Sequence, residues 1–467
     1  MWKKTEKWIV KWEILLFILI GVAIFRIPNL FEPYWYGDEG IYLGVGRAIN
    51  SGVRLYSQIH DNKPPLLYWI AALTSGEQFW YRLFFFAWML LTTVIFYKIA
   101  SRVVPKSTTL ATLVFAILTT WPSWEGNIAN AELFFLLPIL SGFGLVLTNK
   151  SKNIFWGGVM YGLAILFKVP AGFSLLVWPV FWILEKRPAW LKKCLLLGTG
   201  VLIPILITFG ISFIQGSIAE YTQIAWLQNI PYLSSWTGQV ATGIFSIKVR
   251  GIILALALAV TLGLNKRWGK LATILGVWAL FDLFAALLSA RPYPHYLLQM
   301  APAVALLLGV ADHESRARWV AGGVAMLLVL SYSLFGFYHY RGVEYYANFG
   351  AFVTGQKSLS EYRGWFDGQV NNNYVIAETI KSWSDENEKI FVWGDQPTIY
   401  PLSDRLPCGR YLAKYHVLDF FSPSQTWDEL ADCKPKIIVD MSDFGGSLSD
   451  YMLVRQVDDT KIYRRMK

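Results

Sequence analysis

The sequence predicts a polytopic α-helical membrane protein: about eleven transmembrane helices, interfacial helices in the first outward loop, and a small soluble α/β domain at the C-terminal end. Three observations carry that expectation. Apolar stretches of roughly 18–22 residues recur, each long enough to cross about 30 Å of hydrocarbon as a helix. The chain is 55% hydrophobic and only 16% charged, whereas soluble domains carry about 25% charged residues. Beyond residue 340 the pattern turns polar and mixed, with short apolar runs.

The spans fall near 12–30, 80–101, 108–122, 130–149, 153–168, 171–185, 192–214, 244–264, 269–289, 294–311 and 319–338. The first begins near Glu13 and shows no small-residue cleavage pattern, so it reads as a retained helix. The fifth and sixth are separated at Lys168-Val169-Pro170-Ala171-Gly172, where proline ends the helix by its lost donor and ring clash. Many of the chain's 22 Trp and 24 Tyr would suit interfacial aromatic belts.

Lys and Arg gather on alternate loops: Lys3, Lys4, Lys7 and Lys11; Arg102 and Lys106; Lys150 and Lys152; Lys186, Arg187, Lys192 and Lys193; Lys266, Arg267 and Lys270; Arg316 and Arg318. The opposing loops 123–129 and 215–243 have none. Basic loops stay cytoplasmic. The N-terminus is therefore expected inside, with the first loop (31–79) and the C-terminal region outside, on an integral plasma (inner) membrane protein. This division also accounts for the net charge of +10. Nucleic-acid binding would need a basic face on a folded domain, and none is seen.

Residues 1–340 are expected to form the membrane domain and 341–467 an extracytoplasmic α/β domain. In the first loop, 40–51 and 66–75 read as short helices, the second entered through Pro64-Pro65. The loop 215–243, with Tyr221, Trp226, Tyr232 and Trp236, suits either a lid or channel wall or an aromatic belt. In the C-terminal region, 371–383 and 425–432 look helical, and 389–394 and 436–440 look like buried strands. No Gly-rich phosphate loop supports a nucleotide site there. Cys408 and Cys433 could pair in an oxidising compartment.

Chemistry concentrates in the first loop. Asp38 and Glu39 either cap a helix or supply a general base at the membrane surface. Lys63, stiffened by Pro64-Pro65, suits a phosphate anion. His60 and Asp61 beside it could assist a divalent cation or pair with the lysine. Glu132 and Lys168 lie at matching outward depth and either snorkel or line one cavity. Arg291 and His295, in Arg291-Pro292-Tyr293-Pro294-His295-Tyr296, could bind an anion or a metal. Asp282, near mid-membrane, requires a partner or water.

Taken together these residues resemble the polyprenyl-phosphate-dependent membrane glycosyltransferases of the GT-C fold. That superfamily includes the protein O-mannosyltransferases of glycosyltransferase family 39 and the lipid A aminoarabinose transferase. The resemblance rests on Asp38-Glu39 with Tyr42 and Ala48, and on Gly52, Tyr56 and Asp61-Asn62-Lys63-Pro64-Pro65-Leu66 with Tyr68-Trp69. It extends to Ala131-Glu132, Phe167-Lys168, Arg291 to Tyr296 with Pro302, and Val392-Trp393-Gly394 with Tyr400 and Arg405.

The resemblance implies an inverting glycosyltransferase acting on the extracytoplasmic face. The donor would be a polyprenyl-phosphate-linked sugar, the acceptor a lipid, glycan or protein hydroxyl, and the surrounding partners membrane lipids. Asp38 would be the base, with Glu39 beside it. Lys63, Arg291 and Lys168 would bind the donor phosphate. Asp61 and His295 would contribute to a divalent metal site (Mg or Mn), and Glu132 and Tyr296 would be further site residues. Some relatives carry an acid immediately before the lysine, where this chain has Asn62. The alternative is a transporter or flippase of lipid-linked saccharide. Inverted repeats would favour it, and the sequence shows none, though Asp282 keeps it open.

Overall fold

The computed structural model describes residues 12–233 and 242–466. Lys3, Lys4, Lys7, Lys11, Trp236 and the side chain of Tyr232 lie outside them. Among the described residues, five helices are long and apolar enough to cross a membrane: Trp12–Phe31, Gln78–Val103, Trp190–Ile214, Pro294–His313 and Ala317–Leu334. Each falls at a predicted span. The other predicted positions hold shorter helices, such as Thr108–Leu118, Ser151–Ile165 and Lys270–Ala286. At 1.5 Å per residue, 15 residues reach only about 22 Å, so helix length by itself supports five crossings among the described residues and does not establish the count of eleven.

Proline explains part of the shortening. The fourth predicted span breaks into Ala131–Phe134 and Leu136–Leu147. Pro138 cannot donate to the carbonyl four residues back, and the indole of Trp88 donates to that carbonyl, on Phe134, at 2.9 Å. Pro170 likewise opens a 3-10 stretch, Val169–Leu176, before the α-helix Val177–Leu184.

By contact the chain forms two compact units. The first holds Met1–Ile27, Phe85–Gly210 and Leu227–Gly342. Its core is aromatic and small-residue packing: Phe143 stacks on Trp278 at 4.5 Å. A Cβ on Gly158 would lie 2.2 Å from the carbonyl of Leu197, so only glycine permits that helix contact. Asp282 is fully buried and has the partner it requires. Ser174 Oγ donates to it at 2.6 Å and Gln299 Nε2 at 3.0 Å.

The second unit joins Pro28–Phe84, Ile211–Trp226 and Val343–Lys467. The first loop thus folds with the C-terminal region. The two expected loop helices are Gly37–Asn50 and Leu66–Leu73, and they touch where Gly46 meets the backbone of Ala71. Gly40 meets Thr398 in the same way. The C-terminal region carries a four-stranded sheet of β1 (Ile390–Trp393), β2 (Ile437–Asp440), β3 (Tyr451–Val457) and β4 (Thr460–Arg465), in the order β1-β2-β4-β3. β1 and β2 are parallel and fully buried; β4 runs antiparallel to both β2 and β3. Val370–Trp383 and Pro423–Cys433 are the two helices read from the sequence. Cys408 and Cys433 form a disulfide, Cα to Cα 5.9 Å, beside a core of Phe391, Trp393, Tyr411 and Ile438.

Candidate functional site

Asp38 sits in the first turn of Gly37–Asn50, where the helix N-terminus favours an anion. One turn on, the Tyr42 hydroxyl donates to its Oδ2 at 3.0 Å. Lys63 Nζ lies 3.8 Å from Asp38 Oδ2 and 3.5 Å from Asp61 Oδ2, and 5.0 Å from the centre of the Tyr42 ring. The ammonium is thus shared between two carboxylates, and neither contact is closed to hydrogen-bond length. Asp38 is one-third exposed, whereas the Asp61 side chain is 1% exposed.

The surroundings hold the Lys63 loop in place. Tyr68 OH donates to Asp61 Oδ2 at 2.8 Å and accepts from the Lys63 N–H at 3.2 Å. The Asn62 N–H donates to Asp61 Oδ1 at 2.8 Å. Tyr56 OH donates to the Lys63 carbonyl at 2.9 Å, and Tyr221 packs on the Tyr56 ring at 5.2 Å. Tyr221 is therefore a buried support. His416, from the helix Lys414–Phe420, brings Nε2 to 3.7 Å from Asp61 Oδ1. The His60 N–H donates to the Arg410 carbonyl at 2.8 Å.

These contacts set the charges. Burial opposes ionisation of Asp61, but Lys63, His416, Tyr68 and the Asn62 N–H outweigh it and hold the carboxyl below its usual range. Burial pushes His60 down to about 3, with His416 adding to the effect. Burial also lowers His416, against the pull of Asp61.

Glu39 does not join this cluster. It is buried, and Arg82 holds it with Nε 3.0 Å from both carboxylate oxygens and a terminal nitrogen 2.8 Å from Oε1. Gln78 Nε2 donates to it at 2.8 Å. Glu32 lies 3.6 Å from the same guanidinium and is bonded by Tyr345. These contacts form a buried ion pair around Glu39.

A second cluster lies in the helical unit. Glu132 pairs with Lys168, whose Nζ sits 3.9 Å from the centre of the Tyr296 ring. His295 pairs through Nδ1 with Glu125, and its Nε2 lies 3.2 Å from Asn130 Nδ2. Asn130 also caps the Ala131–Phe134 helix through Oδ1. Arg291 is half-buried, in the loop before His295. Lys168 thus already has a counter-ion.

Neither Asp61 nor His295 is arranged as a metal ligand. Both oxygens of Asp61 accept hydrogen bonds, and both ring nitrogens of His295 face protein partners. Among the described residues no three His, Cys, Asp or Glu side chains are placed to hold an ion.

Sequence reading missed Glu125 and His416. Glu125 stood in a loop noted only for lacking bases; its left-handed backbone (φ 61°) is visible only in the structure. His416 lies more than 350 residues from Asp61, and no local pattern marks it.

Comparison with known proteins gives a consistent picture of the fold. No family model matches the chain. A curated protein of Aquifex aeolicus (strain VF5), described as uncharacterized, is 30% identical over 188 residues; the match spans 37% of this chain and 38% of that protein. Two solved structures match nearly end to end. ArnT from Cupriavidus metallidurans bound to undecaprenyl phosphate aligns with TM-score 0.63 and 14% identity, over 96% of this chain and 97% of that one. The apo state of the same protein gives 0.60 and 15%, over 97% of each chain. The chain has the fold of these ArnT structures, the fold that the sequence resemblance implied.

Proposed function

We propose that this protein is a glycosyltransferase that moves a sugar from a polyprenyl-phosphate donor to an acceptor hydroxyl. The carrying observation is Lys63, shared between the one-third-exposed Asp38 at a helix N-terminus and the buried Asp61. The fold supports the same reading, since the ArnT structure it matches was solved with undecaprenyl phosphate.

Asp38 removes the proton of the acceptor hydroxyl. The oxygen then attacks the anomeric carbon from the face opposite the leaving group, so the configuration inverts. The carbon–oxygen bond to phosphate breaks, and polyprenyl phosphate departs with the electron pair. Lys63 swings from its two carboxylates to the phosphate and balances the charge that develops there. Lys168 and Glu132 act as a neutral pair that shapes their part of the helical unit. Tyr296 covers Lys168.

Chemistry on the outward side of an inner membrane agrees with the Cys408–Cys433 disulfide, which belongs in an oxidising compartment. The transport alternative rested on Asp282, whose partners Ser174 and Gln299 give it a structural place.

The test uses purified protein with polyprenyl-phospho-sugars and candidate lipid, glycan and protein acceptors, read by mass spectrometry of the products. Sugar transfer dependent on Asp38 supports the reading. Movement of intact lipid-linked saccharide across vesicles without transfer refutes it.

A further inference from the structure

We propose that a polar groove in the second unit binds an anionic saccharide, a sugar carrying a phosphate or carboxylate group. The site goes beyond the transfer reading and does not depend on it. The groove has a volume of about 830 Å³, within the range of about 300–1,000 Å³ common for ligand sites. One wall is the loop after the helix Gly37–Asn50, from Ser51 to Val53, and the facing walls come from the C-terminal region. About 20 Å of helix separates Ser51 from Asp38, so the groove is distinct from the Asp38–Lys63 cluster.

Covalent and polar ties fix the frame. The Cys408–Cys433 disulfide joins the wall carrying Gly409 and Arg410 to the wall at the end of the helix Pro423–Cys433. Arg410 Nε, 3.0 Å from Glu429 Oε1, joins the same two walls. The Lys436 N–H donates to the Lys389 carbonyl at 2.8 Å, and Lys436 Nζ lies 3.1 Å from Glu388 Oε1. Arg465 donates to the Lys434 carbonyl at 2.6 Å. A cradle already held in place demands little ordering when a ligand binds.

The lining selects the ligand. Among the described residues, five Lys or Arg and three Asp or Glu side chains line the groove. The Arg410–Glu429 and Lys436–Glu388 pairs neutralise one another. Lys389, Lys434 and Arg465 remain with Asp432, an excess of positive charge that favours an anion. Lys389 and Lys434 are exposed and form no ion pair among the described residues. The space exceeds what a bare phosphate fills, and the neutral lining suits hydroxyls. Ser57 Oγ is buried with no hydrogen-bond partner among the described residues, which is uncommon for a buried hydroxyl. Gln58 Oε1 accepts from the Arg54 N–H at 2.9 Å, which leaves the amide N–H₂ of Gln58 to donate. Among the described residues the apolar lining is Val53, Pro407 and the disulfide, too little to hold a lipid chain. No aromatic ring among them offers a nucleic-acid base a stacking face. A peptide strand cannot add to β1 here, because the Ile390 N–H already donates to the Leu406 carbonyl at 3.0 Å and the Cys408 N–H to the Ile390 carbonyl at 2.7 Å.

The experiment is calorimetric titration of full-length protein in detergent with trehalose 6-phosphate as the probe. Trehalose, inorganic phosphate and a hexaglutamate peptide are the comparison ligands. The sugar phosphate should bind at least about tenfold more tightly than any of the three, since it alone combines a compact anion with sugar hydroxyls. The double variant Lys389→Gln, Lys434→Gln should weaken it about tenfold or more, the worth of two charge-assisted contacts in a partly exposed site. Ser57→Ala should weaken it about threefold, and it keeps the test open if the double variant fails to fold, which thermal unfolding reveals. Lys63→Ala should leave the affinity within twofold. Equal binding of inorganic phosphate would reduce the groove to a bare anion site, and equal binding of trehalose would remove the role of charge; either overturns the proposal. So would tighter binding of the peptide, no binding of the sugar phosphate, or binding that survives the groove substitutions and is lost in Lys63→Ala. The titration involves no sugar transfer, so its failure leaves the proposed function standing, and loss of that function leaves the groove to be judged by the titration alone.

Discussion

Glu39→Gln separates the two adjacent acids by stability rather than by activity. In the native protein Glu39 and Arg82 are 3% and 1% exposed at the side chain, and three guanidinium contacts of 2.8–3.0 Å join them. The amide removes the charge and sets an N–H₂ against the guanidinium. Breaking a buried ion pair from one side costs about 3–5 kcal/mol. Glu32, 3.6 Å from Arg82, and the carbonyls of Asn29 and Glu32, each 2.9 Å away, keep partial compensation. The loss should therefore fall near the lower end, about 3 kcal/mol. At about 2–4 °C per kcal/mol for a unit of 150–250 residues, Tm should drop by about 6–12 °C. The assay is thermal unfolding in detergent by intrinsic fluorescence, paired with transfer measured well below the lowered Tm. Asp38→Asn should leave Tm within about 2 °C, since its partner contacts are open and partly exposed. Glu39→Gln with wild-type Tm but abolished turnover would refute the division of roles.

Three further outcomes follow. Lys63→Ala should weaken undecaprenyl phosphate binding by about 10–100-fold, the worth of about 1.5–3 kcal/mol for a charge-assisted contact; calorimetry or fluorescence titration reads this, and unchanged affinity would remove Lys63 from the phosphate site. Cys433→Ser, which opens a disulfide between residues 25 apart, should cost about 3 kcal/mol, and reductant should reproduce its Tm loss in the native protein. For pH, His60 is neutral in the folded protein down to about 3 but titrates near 6.5 when unfolded. Below about 6.5 the unfolded chain binds the extra proton, so stability falls with acid by up to about 1.4 kcal/mol per pH unit. His416, lowered as well, adds in the same direction. Asp61, whose folded value is depressed, contributes stability that is lost only below about 3.9. Tm measured from pH 7.5 to 5 should therefore decline, and His60→Phe should flatten the decline; a Tm that rises on acidification would contradict these assignments.

Much of the fold was legible because long apolar runs and Lys/Arg-marked loops are local signals. β1 and β2 were readable because buried parallel strands are continuous apolar runs, Ile390–Trp393 and Ile437–Asp440. β3 was not, because its Tyr451–Val457 faces are half exposed and mixed, so neither alternation nor a solid run marks it. The shortening of helices at Pro138 and Pro170 was partly readable: a proline announces a break, but not that Trp88 takes the freed carbonyl of Phe134. In the site, Asp38, Asp61 and Lys63 were visible as a charge cluster in a base-poor region. The split between Asp38 and Glu39 was not, because it depends on Arg82, which a hydropathy reading absorbs into a membrane span. Nor could the sequence place the first loop with the C-terminal region. That grouping is set by contacts such as Gly40 on Thr398 and His60 on Arg410, hundreds of residues apart.

The most direct measurement is single-turnover sugar transfer by Asp38→Asn protein, with undecaprenyl phosphate binding measured on the same sample. If Asp38 is the base, transfer falls by about 10²–10⁴-fold, the typical share of a general base, while the lipid phosphate still binds within a few-fold of wild type. Transfer within twofold of wild type from folded Asp38→Asn protein would contradict the central claim.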